Sequence, residues 1–172
     1  MNSITPTSQA LLDRYEAVKK NFVGADVPWL AAIRDESASA LRKHGLPTPS
    51  TEDWKYTNLR ALNKIAFDGD ATTDVNVADL PERAGSGPRL VFVDGRYRGD
   101  LSHSGASTKG VRCSHVADLL GSDKDLIESS LADTGDETPL LALNGAFQED
   151  GYALILERTT LVDELVEVLH VN

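Results

Sequence analysis

The sequence predicts an α+β fold, with helices in its N-terminal third and short strands mixed with helices after residue 88. Apolar residues recur at helical spacing early in the chain, as at Leu11, Leu12 and Tyr15. From residue 89 the period of the apolar pattern changes to two, which is typical of strands. A chain of 172 residues buries roughly 70% of its unfolded surface on folding, so it needs no covalent cross-link.

Two amphipathic helices are predicted in the N-terminal region. The first spans residues 8–22, and either Thr7 or Ser8 can cap its start. The second spans residues 28–44. Because the connection between them is short, we expect the two helices to pack as an antiparallel helical hairpin.

The second helix has clear signals at both ends. Asp26 can cap its start, and Pro28 suits the first turn, where a missing N–H leaves no helical acceptor unpaired. Gly45 can adopt the left-handed conformation of a C-cap residue, and Pro47 cannot continue a helix.

A segment with two large aromatic rings follows this helix. Residues 50–53 resemble a capping box, so a short helix that carries Trp54 is expected. Trp54 and Tyr56 can anchor a partner or a planar ligand. Alternatively, Trp54 locks the turn onto the helices and Lys55 points outward, which we favour because such rings dominate small cores.

The chain divides into four predicted segments. Residues 1–66 form the helical region. Residues 67–88 are rich in Asp, Thr, Gly and Pro and are expected to form a linker or mobile loop. Residues 89–149 form a small α+β region, and residues 150–172 form a final β segment.

A β-hairpin is predicted at Asp94-Gly95, a dipeptide that favours a two-residue turn between apolar runs. This turn pairs Phe92 with Tyr97. The two rings then share one face of the hairpin as an aromatic cross-strand pair.

Further short elements are expected between the hairpin and the C-terminal segment. Residues 111–113 form a short strand. Helical pieces cover residues 115–132 with a break at Gly121, and another helix opens at Pro139.

The C-terminal segment is predicted to contain two strands, over residues 151–156 and 165–171. The sequence then stops at Asn172, within a strand pattern. We therefore expect a fragment of a longer, β-rich protein. An unpaired terminal strand also favours self-association by edge pairing.

The charge of the chain is strongly asymmetric. The net charge is −10 at pH 7, and residues 113–172 carry 13 acidic and 2 basic side chains. Nucleic-acid binding requires the opposite sign, so we exclude it. The acidic third can attract a basic partner, but a solvated surface explains it more simply.

The cysteine content and the N-terminus favour the cytoplasm. Cys113 is the single cysteine, so no intrachain disulfide can form, as is usual in a reducing compartment. The first residues lack the basic and apolar regions of a signal peptide. No apolar run approaches the roughly 20 residues of a membrane helix, so no membrane contact is expected.

The reactive side chains do not form a predicted catalytic, cofactor or metal site. Cys113, His115 and Asp118 can share a face as a weak divalent site, but a small buried thiol explains the cysteine more simply. One thiolate is too few for an iron–sulfur cluster, which takes about four protein ligands. Glu149 and Asp150 are expected in a solvent-facing turn, not in acid–base catalysis.

The chain resembles a known protein family in three patches, which are residues 29–34, 45–59 and 139–152. In this order and spacing they resemble the N-terminal region of the SufB/SufD family, and of its SufD branch. We expect structural roles for the residues that match the family motifs: Trp29, Gly45, Pro47, Asp53, Trp54, Lys55, Tyr56, Thr57, Asn144, Asp150 and Gly151. The family often has a bulkier residue at the position of Gly145.

The resemblance implies a fold and a function. Family members have a helical N-terminal region followed by a long right-handed parallel β-helix, so residues 150–172 would be the truncated start of that β-helix. The implied function is that of a non-catalytic scaffold in iron–sulfur cluster assembly by the Suf system. The implied partners are a SufB-like protein and the SufC-like ATPase, mostly through regions outside these residues, with no cofactor in this fragment.

Two other classes of function stay open. One is a general protein–protein interaction domain without a cluster role, which would capture other partners. The other is a small-molecule enzyme, whose turnover would be abolished by a change at Cys113, His115 or Glu149.

Overall fold

The computed structural model describes most of the chain, namely residues 5–48, 51–57, 59, 61, 73–105, 109–131 and 138–172. The chain forms two compact units, residues 1–69 with 125–148 and residues 70–124 with 149–172. Each unit therefore combines two separate stretches, whereas the four predicted segments are consecutive.

Helices and strands are both present, as an α+β class requires. The helices are α1 (Pro6–Val18), α2 (Pro28–His44), α3 (Val116–Ser122), α4 (Lys124–Leu131) and α5 (Pro139–Ala146). The strands are β1 (Arg89–Val93), β2 (Arg96–Tyr97), β3 (Val111–His115), β4 (Tyr152–Leu156) and β5 (Glu167–Val171). Short 3₁₀ turns lie at Lys19–Asn21, Glu52–Trp54 and Val77–Asp79.

The first helix starts earlier than its predicted range of 8–22. Thr5 is the N-cap residue, and its Oγ1 accepts a hydrogen bond from the Ser8 N–H at 3.2 Å. The predicted caps, Thr7 and Ser8, are therefore wrong, because Pro6 already begins the helix. At the other end the α-helix stops at Val18 and continues as a 3₁₀ turn.

The second helix has the predicted bounds, 28 and 44. Gly45 adopts φ +68°, and its N–H donates to the Leu41 carbonyl at 2.8 Å, so its C-cap role is confirmed. The predicted cap at Asp26 is wrong. Val27 occupies the N-cap position and provides no side-chain hydrogen bond.

The core of the first unit joins α1, α2 and α5. Its buried residues include Leu12, Tyr15, Leu41 and Ala146. The helices α1 and α2 run in opposite directions. The start of α1 contacts the end of α2, and the end of α1 contacts the middle of α2.

The sheets of the second unit are small. β1 pairs antiparallel with β2 and parallel with β5, and β3 pairs antiparallel with β4. The predicted pairing of Phe92 with Tyr97 is confirmed, with positive φ at Asp94 and Gly95 in the turn. Val75, from the segment predicted as a linker, is buried beside β1.

The helical break between α3 and α4 lies at Asp123, not at the predicted Gly121. Asp123 leaves the helical conformation, and both of its carboxylate oxygens accept hydrogen bonds from Arg112 at 2.7 Å. This pairing, with a bond from Ser122, holds the pKa of Asp123 at about 2. β3 also extends to His115, two residues beyond its predicted end.

Candidate functional site

The turn after α2 is fastened to the start of α1. The Leu46 N–H donates a hydrogen bond to the Ser8 Oγ at 3.1 Å, and Ser8 is fully buried. Pro47, which follows, is also buried. This half of the family motif therefore closes one end of the helix pair. No local pattern predicts this role of Ser8, because its partner lies 38 residues away.

The second half of the motif forms a 3₁₀ turn instead of the predicted helix. Asp53 lies in the middle of this turn, and the Trp54 N–H donates to the Thr51 carbonyl. Ser50, the first residue of the predicted capping box, lies outside the described residues. The Thr57 N–H donates to the Trp54 carbonyl at 2.9 Å, which extends the turned backbone.

The two rings of this segment differ in their environment. The Trp54 residue is half-buried, whereas Tyr56 is 92% exposed. The Lys55 Nζ lies 5.2 Å from the centre of the Tyr56 ring and pairs with Glu52 at 2.6 Å. The Tyr56 ring therefore lies in solvent beside the Lys55 ammonium group and does not pack in the core.

Trp29 and Arg34, on α2, are both largely withdrawn from solvent. The Trp29 Nε1 is buried and makes no hydrogen bond within the described part of the chain. Arg34 is buried and donates to the main-chain carbonyls of Gln148 and Val23 at 2.9 and 2.8 Å. The arginine of the first family patch therefore joins three separate stretches of the first unit.

The third patch contributes to both units. Asn144 is exposed on α5. Asp150 accepts hydrogen bonds from the N–H groups of Gly151 at 2.8 Å and Tyr97 at 3.3 Å. The Gly151 carbonyl accepts the first N–H of α3. Asp150 and Gly151 thus bind the start of β4 to its neighbours.

A cluster of five rings takes one residue from each strand of the second unit. Phe92 is buried and lies within 6.2 Å, centre to centre, of three rings. Its neighbours are Tyr97, Tyr152 and a stacked His170. The rings of Tyr97 and His115 stack at 4.3 Å.

The predicted divalent site has a different arrangement. The His115 Nδ1 lies 3.0 Å from the Asp118 Oδ2. The face of the His115 ring is covered by the stacked Tyr97 ring. Cys113 is half-buried, and burial raises the pKa of its thiol. No cluster of three His, Cys, Asp or Glu side chains that could hold a metal ion occurs among the described residues.

Glu149, the remaining candidate, pairs with Arg96 at 3.2 Å, and both side chains are partly exposed. Glu149 thus keeps some contact with solvent, whereas Asp150, expected in the same solvent-facing turn, is partly buried and accepts two main-chain N–H groups. No helix within the described ranges is long and apolar enough to cross a membrane.

Comparison with known proteins identifies a family and a relative. The family model of the SufBD protein N-terminal region matches residues 5–168. The chain is also 27% identical, over 152 residues, to an iron–sulfur cluster assembly SufBD family protein of Synechocystis sp.. That alignment covers 85% of this chain and 33% of the relative. The chain thus spans about a third of the length of the curated relative it matches.

Proposed function

The chain belongs to the SufBD protein family, and on this premise we propose that it serves in iron–sulfur cluster assembly as the N-terminal part of a SufD-like scaffold. The match over residues 5–168 carries the proposal, because it extends over most of both compact units. The assignment to SufD is more specific than the family match, and it depends on the motifs around Gly45 and Trp54.

The parallel pairing of β1 with β5 supports a β-helical continuation. Five residues pair in register, from Arg89 with Glu167 to Val93 with Val171. Parallel pairing requires a long crossover, and a β-helix also consists of parallel strands. Within the described chain, β5 pairs with β1 alone, so its other edge is open to a further strand.

The ligand content of the chain supports a role without a resident cluster. Cys113 is the single thiol, and burial raises its pKa, which disfavours the thiolate that binds metal. The cluster ligands of a complex would then come from other regions or partners. We propose a non-catalytic role, a SufB-like partner and a SufC-like ATPase, a cytoplasmic location, and no nucleic-acid or membrane contact.

Co-purification of the complete protein tests this function. The tagged protein, expressed in its own organism, should retain SufB-like and SufC-like proteins in fixed stoichiometry after size exclusion. A Tyr56→Ala variant asks whether the exposed ring contributes to that retention, and Leu126→Ala, also on an exposed apolar side chain, is its control. Retention of unrelated proteins alone would support a general interaction domain and contradict the proposal.

A further inference from the structure

A small cavity in the first unit borders the first family patch, residues 29–34. It occupies about 110 Å³ between the end of α1, the loop that follows and α2. Its polar lining consists of Tyr15, Lys19, Lys20, Arg34 and Asp35. An engineered cavity of about 150 Å³ binds benzene, so this one has room for an ion of four or five heavy atoms.

The charge of the lining is opposite to that of the chain. Three lining side chains are cations and one is a carboxylate. Glu16, outside the lining, also pairs with Lys19 at 2.9 Å, which leaves one positive charge in excess, although the whole chain carries −10. Lys20 makes no ion pair within the described part of the chain. A cavity of this size and sign fits a small oxyanion, because ammonium and guanidinium groups form strong hydrogen bonds with phosphate and carboxylate oxygens.

The charged walls are held in place before any ligand arrives. The Asp35 Oδ1 accepts hydrogen bonds from the Tyr15 hydroxyl and the Lys19 Nζ, both at 2.9 Å. The Arg34 guanidinium is held by two main-chain carbonyls and lies 5.3 Å from the Phe22 ring centre. Such preorganisation lowers the entropic cost of binding.

The N-terminus of α2 adds to the positive potential. Ala25 and Ala31, which flank the start of this 17-residue helix, both line the cavity. Val27 at the N-cap supplies no side-chain acceptor for the first N–H groups. The positive end of the helix dipole therefore lies beside the cavity, where it favours an anion.

We propose that this cavity binds a small tetrahedral oxyanion of the size of inorganic phosphate, with Lys20 as its mobile cationic contact. Asp35 does not prevent this, because its charge is already shared between Tyr15 and Lys19. Larger phosphate esters exceed the volume unless their organic part remains in solvent.

Calorimetric titration of the complete protein with inorganic phosphate tests the site. The matched variants are Lys20→Gln, in the lining, and Lys43→Gln, an exposed residue in the last turn of α2. Both remove one positive charge. We expect saturable binding to the wild type and to Lys43→Gln, and at least about tenfold weaker binding to Lys20→Gln, since a charged hydrogen bond contributes that much.

Amide NMR spectra recorded in the same titration locate the ion. Phosphate should shift the Ala25 and Ala31 signals, and chloride at equal ionic strength should not. Circular dichroism confirms that both variants are folded. Equal affinity of the two variants, or no saturable binding to the wild type, would overturn the proposal.

Discussion

Arg89 and Glu167 lie side by side on parallel strands, 78 residues apart in sequence, and form a largely buried bidentate ion pair. The Arg89 Nε lies 2.9 Å and its Nη2 3.2 Å from the two Glu167 oxygens. The remaining donors reach the Pro81 and Glu82 carbonyls. The guanidinium thus fastens the preceding loop to both strands.

Loss of this pair should destabilise the second unit in a pH-dependent way. The Arg89 guanidinium, assisted by the Ala84 N–H, holds the pKa of Glu167 below its usual value. The resulting stability is complete above the unfolded pKa of about 4.3 and is lost as the pH falls through the lower folded value. Urea unfolding of the wild type should show this loss, and Arg89→Met should reduce it, because only the Ala84 N–H then remains as a donor to Glu167.

Arg89→Met should also have a lower urea midpoint than Glu167→Gln at pH 7. The methionine leaves a carboxylate and two main-chain carbonyls without their donor, whereas glutamine still accepts from Arg89. The reverse order of midpoints would show that the ion pair does not fasten the loop.

A close helix contact makes Gly145 sensitive to substitution. A Cβ at this position would overlap the Ser37 Oγ and lie 3.0 Å from the Ser37 Cβ. Gly145→Ala should lower the free energy of unfolding by up to about 2 kcal/mol, since overpacking costs about 1–3 kcal/mol and the gain in helix propensity offsets about 1 kcal/mol of it. Ser37→Gly should restore part of this loss in a double-mutant cycle.

Gly121→Ala is the matched control for this prediction. Gly121 is also helical, on α3, but nothing lies within 4 Å of the position that an alanine Cβ would occupy there. The propensity gain should therefore appear in full, as a stabilisation of about 0.5–1 kcal/mol. If both alanines stabilise the protein, the Ser37 contact is not tight.

The Tyr15 hydroxyl should titrate at unusually high pH. Burial and the hydrogen bond to Asp35 raise its pKa from about 10 to about 12. The neutral phenol therefore stabilises the fold below pH 10, and this contribution is lost as the pH rises from 10 to 12. Absorbance of tyrosinate in the ultraviolet should show a late step that Tyr15→Phe removes and Tyr56→Phe retains. A late step that survives Tyr15→Phe would rule out this assignment.

The ring cluster should contribute strongly to stability through Phe92. Its side chain is buried, so Phe92→Ala should cost about 3–5 kcal/mol. Tyr152→Ala should cost less, because that ring is 46% exposed. Urea unfolding measures the loss of free energy of unfolding in each variant. Equal losses would mean that Phe92 is not the central residue of the cluster.

Local signals predict much of this fold. Pro28 and Gly45 mark the two ends of α2 through local conformational preferences. The Asp94-Gly95 turn sets the register of the adjacent Phe92–Tyr97 pair. The contacts that the sequence does not predict join distant residues: Ser8 with Leu46, Arg89 with Glu167. A parallel register depends on the whole crossover, and no local pattern encodes it.

The candidate site is predictable to a similar extent. The motif around Gly45 can be identified from sequence, but the 3₁₀ turn at Glu52–Trp54 cannot, because a capping-box pattern does not distinguish it from the start of an α-helix. Of the five rings in the cluster, one adjacent pair is predicted, because the other contacts require β3, β4 and β5 to come together around Phe92.

The central claim is that this chain supports cluster assembly without holding the cluster. The most direct measurement is anaerobic reconstitution of the complete complex with its SufB-like and SufC-like partners, followed by visible absorbance and iron analysis. We predict that the complex acquires a cluster and that Cys113→Ser leaves its absorbance and iron content unchanged. Loss of the cluster in Cys113→Ser, or a complex that never acquires one, would contradict the account.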